Sequence, residues 1–236
     1  LGGMGGCASL WKCPVSDDVV SARQISLRGV DAMQREEWEE AETLFRKALR
    51  TCPTDERAHR CFAEILWRKG ATQDAIAHMR EAARLSGEPA EATIALGEMH
   101  LAREELTAAA KCAREALGYR KDLPAAWVLL GNVQHLEGEL QPALASYHRA
   151  LSLRPDDARL QLTVAKVYRQ LHRPQRTLAV LAALSEQYPV GDQPRDLLME
   201  QGLALRAVGD YNGSAAALAQ AVERGPISAE LLCQLG

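Results

Sequence analysis

The sequence predicts an all-α protein in which helical hairpins stack side by side into a solenoid. Three observations support this fold class. Small residues recur every 34 positions, the apolar residues of each unit follow the spacing of two amphipathic helices, and proline closes several units. A repeat of this length is typical of helical arrays, because a single hairpin cannot bury its apolar stripe without a stacked neighbour.

The repeat is visible as columns of residues with matching size. One column of small residues runs Ala41, Ala75, Ala109 and Ala143, and a second runs Gly29, Ala63, Gly97, Gly131 and Ala165. A bulky column runs Phe45, Met79, Tyr147 and Leu181, with Ala113 in the remaining place. Two helices approach closely only where their side chains are minimal, so we expect the small columns to mark contacts within each hairpin. A three-residue insertion near Gly191 shifts the register before the series resumes at Gly202.

Residues 124–157 show the pattern of one unit most completely. The first helix carries its packing residues on one face (Trp127, Leu130, Gly131, Gln134), and so does the second (Leu140, Leu144, Tyr147, Ala150, Leu151). A proline suits the first turn of a helix, a glycine separates two helices, and a proline ends the second one. These roles fall to Pro124, Gly138 and Pro155.

These residues resemble the motifs of the tetratricopeptide repeat (TPR) family. The first-helix signature W-x2-L-G-x2-Y appears as Trp127, Leu130 and Gly131, with Gln134 in the place of Tyr. The second-helix signature appears as Ala143, Tyr147, Ala150 and Pro155. The resemblance implies a right-handed α-solenoid of TPR helix-turn-helix hairpins, with six full repeats plus the start of a seventh.

The predicted organisation is a leader of residues 1–19 followed by a TPR solenoid of residues 20–236. The repeats are predicted at 22–55, 56–89, 90–123, 124–157, 158–191 and 195–228, with a partial repeat at 229–236. The partial repeat would leave the apolar stripe of Leu232 and Leu235 without a partner helix. We therefore expect the natural protein to continue beyond Gly236.

The resemblance also implies that the first helices line a concave groove that binds a peptide or protein segment. The residues predicted to bind the partner are Arg57, Arg60, Glu64, Trp67, Arg68, Glu98, Asn132, His135, Arg159, Lys166 and Arg169. They form a basic, aromatic patch around Trp67 and a second, polar-basic patch in the fourth and fifth repeats. Arginine can hold a carboxylate bidentately and tryptophan often anchors interfaces, so an acidic or C-terminal segment is the expected ligand. The alternative interpretation is an ordinary solvated groove without a dedicated site.

Other classes of site and partner are disfavoured by the sequence. The chaperone-tail clamp of some TPR proteins is absent, because Val128 and Thr163 stand where it needs Lys and Asn. The net charge of −3 argues against nucleic acid, and no apolar run reaches the ~18 residues of a membrane span. No catalytic motif is present, and the histidines and cysteines lie at no metal-ligand spacing. We therefore expect no enzyme activity, no metal and no cofactor in these residues.

Two functional classes are compatible with such a chain. The first is a non-enzymatic scaffold whose groove binds a partner protein. The second is a substrate-recruiting TPR module of a larger enzyme or envelope machine whose catalytic part lies beyond Gly236. The sequence that follows Gly236 would separate them, because a further capped repeat favours the scaffold and a new αβ pattern favours the enzyme.

The opening stretch LGGMGGCASLWKCP lies outside the repeats. A dinucleotide-binding loop requires a strand before its glycines, and no strand precedes these. The two cysteines of the stretch are too few ligands for a metal site. The run from Met4 to Cys7 resembles a bacterial lipobox, in which Cys7 would be lipidated and the residues before it would end a signal peptide. That resemblance implies a lipoprotein on the periplasm-facing side of a bacterial envelope membrane. The alternative is a disordered leader on a cytoplasmic protein.

Overall fold

The computed structural model describes residues 17–189 and 191–225, which form twelve α-helices and no strand. The helices are α1 (Asp17–Gln34), α2 (Trp38–Thr51), α3 (Glu56–Arg68), α4 (Thr72–Leu85), α5 (Pro89–Ala102), α6 (Leu106–Tyr119), α7 (Pro124–Leu136), α8 (Leu140–Leu153), α9 (Ala158–Gln170), α10 (Pro174–Ser185), α11 (Arg195–Ala207) and α12 (Tyr211–Glu223). The all-α fold class predicted from the repeat is confirmed. None of these described helices is both long and apolar enough to cross a membrane.

Helix α1 begins at Asp17, earlier than the first repeat predicted at residue 22 and inside the stretch predicted as leader. Ala22 and Ser26 are buried on its inner face, and Val19 is half-buried at the same helical spacing. Because this stripe starts at Val19, the helix extends N-terminally beyond the point where the repeat columns become recognisable.

The helices group into two compact units, one ending at Met99 and the other beginning at His100. Within the first unit, α1 packs on α2, α2 on α3, and α3 on α4. Within the second unit, each helix from α6 to α12 packs on the next one along the chain, and α9 also contacts α11. This order of contacts is the one expected for stacked hairpins, in which successive first helices become neighbours.

The small and bulky columns meet inside the hairpins. A Cβ atom placed on Gly29 would lie 2.8 Å from the ring of Phe45, and one on Gly131 would lie 2.5 Å from the ring of Tyr147. Both rings are fully buried. The predicted role of the small column is therefore confirmed at these two positions, where glycine allows the ring of the second helix to rest on the backbone of the first.

The turn inside each hairpin contains one residue with a left-handed backbone. Glycine takes this place in three hairpins, at Gly70, Gly138 and Gly209, with φ angles of 79°, 79° and 88°. In the other three the residue carries a side chain, and φ is 61° at Glu36, 60° at Glu104 and 53° at His172. A left-handed residue with a Cβ costs roughly 1–2 kcal/mol, and at Glu36 and His172 the packing of α1 on α2 and of α9 on α10 holds the turn against this local strain.

Aspartate side chains fix the starts of several helices. Asp55 accepts a hydrogen bond from the backbone N–H of Ala58 at 3.2 Å, and its other oxygen accepts one from the Ser26 hydroxyl at 2.6 Å. Asp157 caps α9 in the same way, through the N–H of Leu160 at 3.0 Å. Since Ser26 lies in α1 and Asp55 precedes α3, the first of these caps also fixes the position of one first helix against the next.

Candidate partner-binding grooves

The first unit contains a groove of about 520 Å³ between α1 and α3, here called groove 1. Its walls are Leu27, Val30, Met33, Gln34, Trp38, Arg57, Arg60, Cys61, Glu64 and Arg68. Three residues of the first predicted patch, Arg57, Arg60 and Arg68, therefore face one cavity together with the predicted Glu64. Two successive first helices supply most of the wall, which is the arrangement that the resemblance to TPR proteins implied.

The aromatic wall of groove 1 is Trp38 rather than the predicted Trp67. The guanidinium carbon of Arg68 lies 4.3 Å from the centre of the Trp38 ring, within the range of a cation–π contact. Trp67 is half-buried and packs against the apolar core of this unit. Glu64 and Arg68 are one turn apart on the groove face of α3, and Trp67, one position away, projects from a different part of the helix.

Most of the charge in groove 1 is matched within the chain. Arg60 lies 3.6 Å from a carboxylate oxygen of Glu56 and 3.9 Å from one of Glu64, and all three side chains are solvent-accessible. Arg68 is stacked on Trp38. Burial raises the pKa of the Cys61 thiol to about 11, so this side chain is a neutral wall residue and not a nucleophile at neutral pH.

The second unit contains a groove of about 640 Å³ between α9 and α11, here called groove 2. Its walls are Ala158, Arg159, Leu162, Thr163, Lys166, Leu184, Tyr188, Pro194, Arg195, Asp196 and Leu197. The predicted residues Arg159 and Lys166 lie in it. Arg195 was not among the predicted site residues, because it directly follows the insertion at Gly191–Pro194, where the repeat register is interrupted.

The cations of groove 2 are not matched by any carboxylate in the part of the chain that the structure describes. Across the described residues, the side chains of Arg159, Lys166 and Arg195 take part in no ion pair. The Nε atom of Arg195 is buried, and no hydrogen-bond acceptor in that part of the chain reaches it. Asp196 is the sole carboxylate among the wall residues. Groove 2 therefore presents an excess of positive charge together with an apolar wall.

The other members of the second predicted patch make contacts inside the fold. Asn132 Oδ1 accepts a hydrogen bond from the Tyr147 hydroxyl at 2.9 Å. Arg169 donates to the buried carboxylate of Glu200, with Nε 2.7 Å from Oε2, and so joins α9 to α11. These two residues stabilise the packing of the second unit and do not line groove 2.

His135 and Glu98 complete the predicted set. His135 Nε2 donates to Gln170 Oε1 at 2.8 Å, which joins α7 to the last residue of α9. Glu98 is exposed on α5 and is not a wall residue of groove 1. Surrounding protein atoms limit the hydration of its carboxyl and raise the pKa of that group.

Two histidines that sequence reasoning treated separately lie side by side in the first unit. His59 Nδ1 is 2.9 Å from His78 Nδ1, and His59 Nε2 donates to the Pro53 carbonyl at 3.0 Å. In the neutral pair His78 therefore donates through Nδ1 to the bare Nδ1 of His59. Burial, and then the charge of His59, lower the pKa of His78. His59 was interpreted as a packing residue, and no spacing rule signals a pair between α3 and α4.

Two other kinds of site considered from the sequence are a metal site and a lipidation site. Among the described residues, no group of three or more His, Cys, Asp or Glu side chains is placed to hold a metal ion. Cys7, the predicted lipidation residue, lies outside the described residues.

The fold is similar to that of several solved structures. PilF of Pseudomonas aeruginosa gives a TM-score of 0.78 at 17% identity, over 93% of this chain and 99% of that one. PilW, a type IV pilus biogenesis factor, gives 0.77 at 19% identity, over 92% and 99%. YrrB, a TPR protein with an unusual peptide-binding site, gives 0.63 at 21% identity, over 80% and 96%. At these identities the likeness shows a shared fold.

One curated relative, the human protein O-mannosyl-transferase TMTC2, is 47% identical over 49 residues. The match covers 21% of this chain and 6% of the length of that protein. It therefore relates a short stretch of helical repeat, and the chain spans only a small part of the relative.

The tetratricopeptide repeat family matches residues 27–89, 62–124 and 94–158, which overlap and together span more than half of the chain. These matches cover the hairpins in which the small and bulky columns meet. The sequence motifs, the packing order of the helices and this match agree, and the chain belongs to the tetratricopeptide repeat family.

Proposed function

We propose that this chain is a non-enzymatic scaffold that binds a segment of a partner protein in the grooves lined by its first helices. TPR proteins bind proteins or peptides, and a repeat array offers extended surfaces for that purpose. The observation that carries the proposal is the composition of the two grooves. Each combines apolar walls from successive first helices with cationic side chains, of which those in groove 2 have no partner in the described chain.

The proposed ligand is an acidic or C-terminal segment. Arg159 and Lys166 in groove 2 offer donors for carboxylates, and Leu162 lies between them on the same face of α9. A ligand with an apolar side chain next to an acidic group would contact both the apolar wall and the cationic side chains of the groove. In groove 1 the exposed Leu27 and the ring of Trp38 favour an apolar anchor.

We further propose that the chain is attached to a bacterial envelope membrane, facing the periplasm, through a lipid on Cys7. The lipobox-like run from Met4 to Cys7 supports this, and so does the similarity of the fold to PilW, a type IV pilus biogenesis factor. Mass spectrometry of the native protein tests it. A diacylglycerol-modified Cys7 at the mature N-terminus is expected, whereas an unmodified Cys7 inside a continuous chain contradicts it and favours a cytoplasmic scaffold.

The second candidate is a substrate-recruiting module of a larger enzyme. The match to a short part of an O-mannosyl-transferase favours it, because a segment similar to part of this chain there belongs to a protein named as a transferase. The complete open reading frame separates the two candidates. A further capped repeat after Gly236 is expected for the scaffold, and a catalytic domain encoded after Gly236 would favour the recruiting module.

Site-specific photo-crosslinking tests the binding proposal. A benzophenone amino acid replaces Leu27 in groove 1, Leu162 in groove 2 or, as a matched control, the exposed Ala179 on α10. Peptides selected on the full chain from an unbiased displayed library serve as ligands. We expect crosslinks from position 27 or 162 that excess unlabelled peptide abolishes, and none from position 179. Equal labelling at position 179, or a library that yields no binding peptide, contradicts the proposal.

A further inference from the structure

We infer that groove 2 is an acidic-segment receptor that holds two carboxylates of one partner segment in the polyproline II conformation, about 10 Å apart, with an apolar residue between them. This inference rests on the proposed function and deepens it. It assigns the two ends of the site to Arg159 and Arg195 at the starts of α9 and α11, and to Lys166 further along α9.

The positive charge of groove 2 favours a ligand with more than one anionic group. Arg159, Lys166 and Arg195 line it without an ion pair to any described residue, and Asp196 is the one wall carboxylate that offsets them. Two positive charges therefore remain unmatched.

Arg195 is the strongest indication that the partner carries a hydrogen-bond acceptor. Its Nε is buried and has no acceptor within the described chain, and its Cδ packs near Gly225 at the end of α12. A buried donor without an acceptor is rare in folded proteins, because the lost hydration is not recovered. A carboxylate in the groove would bring a charge of opposite sign to this guanidinium group, and a rotation of the Arg195 side chain would let Nε donate to it.

The start of α11 adds to the attraction. Pro194 occupies its N-cap, where no side chain accepts from the first-turn N–H groups. The positive end of the helix dipole is therefore offset by the first-turn carboxylate of Asp196 but by no capping side chain, whereas Asp157 caps α9. An anion near Arg195 is stabilised by this end of α11 as well as by the guanidinium group.

The spacing along α9 sets the spacing of the ligand. Arg159 and Lys166 are two turns apart, which at 1.5 Å per residue is about 10 Å. A segment in the polyproline II conformation advances about 3.1 Å per residue with three residues per turn, so carboxylates three residues apart lie on the same side at nearly this distance. Leu162 lies between the two cations, and Leu184 and Tyr188 extend the apolar wall. The matching segment is therefore Asp or Glu at positions i and i+3, with an apolar residue between.

Groove 1 lacks these properties. Arg60 lies close to Glu56 and Glu64, and Arg68 is stacked on Trp38, so Arg57 is the wall cation with neither an ion pair nor an aromatic contact in the described chain. A doubly acidic segment would therefore compete with existing contacts there. We assign the acidic selectivity to groove 2 for this reason.

Fluorescence anisotropy on the full chain tests the inference. The ligand is a labelled peptide with the core Glu-Leu-Ser-Glu between Gly-Ser flanks, and the matched peptide has the same composition in the order Leu-Ser-Glu-Glu. We expect the first peptide to bind about tenfold more tightly, because only it reaches both ends of the site. Equal affinities for the two peptides would overturn the assigned spacing.

Variants test the residues. Arg195→Gln and Lys166→Gln should each weaken binding of the first peptide about tenfold, the loss of one charged hydrogen bond. The control Arg149→Gln, on an exposed part of α8 outside the groove, should change it less than twofold. Thermal unfolding by circular dichroism verifies that each variant is folded. Equal losses in Arg149→Gln and Arg195→Gln would overturn the site.

Failure of this inference can be told apart from failure of the proposed function. Peptides from the unbiased library that bind wild type and Arg195→Gln equally would overturn the acidic site while the scaffold function stands. A wild-type chain that binds no library peptide at all would overturn the proposed function, and the inference with it.

Discussion

Gly131→Ala adds one methyl group where the structure has no room for it. The new Cβ would lie 2.5 Å from Cε1 of Tyr147, whereas carbon atoms in contact are about 3.5 Å apart. The ring would have to move by about 1 Å. Tyr147 is fully buried, and its hydroxyl donates to Asn132 at 2.9 Å, so neither the ring nor the hydrogen bond can adjust freely.

The magnitude follows from three contributions. Overpacking a buried site costs about 1–3 kcal/mol, and weakening the Tyr147 hydrogen bond adds about 1 kcal/mol. Alanine has a higher helix propensity than glycine, which stabilises the folded chain by about 1 kcal/mol and offsets part of this loss. We therefore expect Gly131→Ala to lower the free energy of unfolding by about 1–3 kcal/mol.

The matched control is the same substitution at Gly118 in α6, where no heavy atom lies within 4 Å of the added Cβ. Gly118→Ala should leave stability unchanged or raise it by up to about 1 kcal/mol, from helix preference alone. Urea unfolding followed by far-UV circular dichroism measures both variants. A Gly131→Ala variant as stable as Gly118→Ala would refute the reasoning.

The chain also offers a compensating change. In the next repeat the equivalent small and bulky positions are Ala165 and Leu181, which pack together in the same core. Gly131→Ala combined with Tyr147→Leu recreates that pair. We expect the double variant to be more stable than the sum of the single changes predicts. Strict additivity would show that the clash with Tyr147 is not the cause of the loss.

Two further predictions concern the turns and the histidine pair. Gly138→Ala, which forces a Cβ into a left-handed turn, should lower stability by about 1 kcal/mol in urea unfolding, whereas Glu104→Gly should not lower it and should raise it by up to about 1 kcal/mol. Opposite signs would contradict the strain assigned to these turns. Burial and the charge of His59 lower the pKa of His78 in the folded chain. In the unfolded chain the pKa of His78 has its ordinary value of about 6.5, so below that pH the unfolded chain binds more protons than the folded chain does. Stability should therefore be full above that pH and fall as the pH decreases through it; His78→Gln should flatten the profile, and His172→Gln, at an exposed turn, should not. A wild-type profile flat from pH 7.5 to 5 would contradict this.

The fold could be predicted from the sequence because it depends on the size of each side chain and on the periodicity of small and apolar residues. Gly131 and Tyr147 contact each other as a small residue on one helix and a bulky one on the next, and that pairing repeats along the chain. The same logic located Arg57, Arg60, Arg159 and Lys166 on groove faces, since first-helix positions follow directly from the repeat register.

The details of the grooves depend on contacts between helices, which the register does not specify. Whether a charged residue is free or paired depends on residues in another repeat, as Arg169 and Glu200 show. Trp38 could not be distinguished from Trp67 without the rotation of each helix. Arg195 follows an insertion, where the repeat offers no equivalent position to guide its assignment.

The most direct test of the central claim is hydrogen–deuterium exchange of the full chain with and without a saturating library-selected peptide. If the first helices form the binding surface, the peptide should slow exchange in the helices of groove 1 (residues 17–34 and 56–68) or of groove 2 (residues 158–170 and 195–207), and leave residues 174–185 of α10 unchanged. Slower exchange confined to α10, or none in these first helices at saturation, would contradict the account.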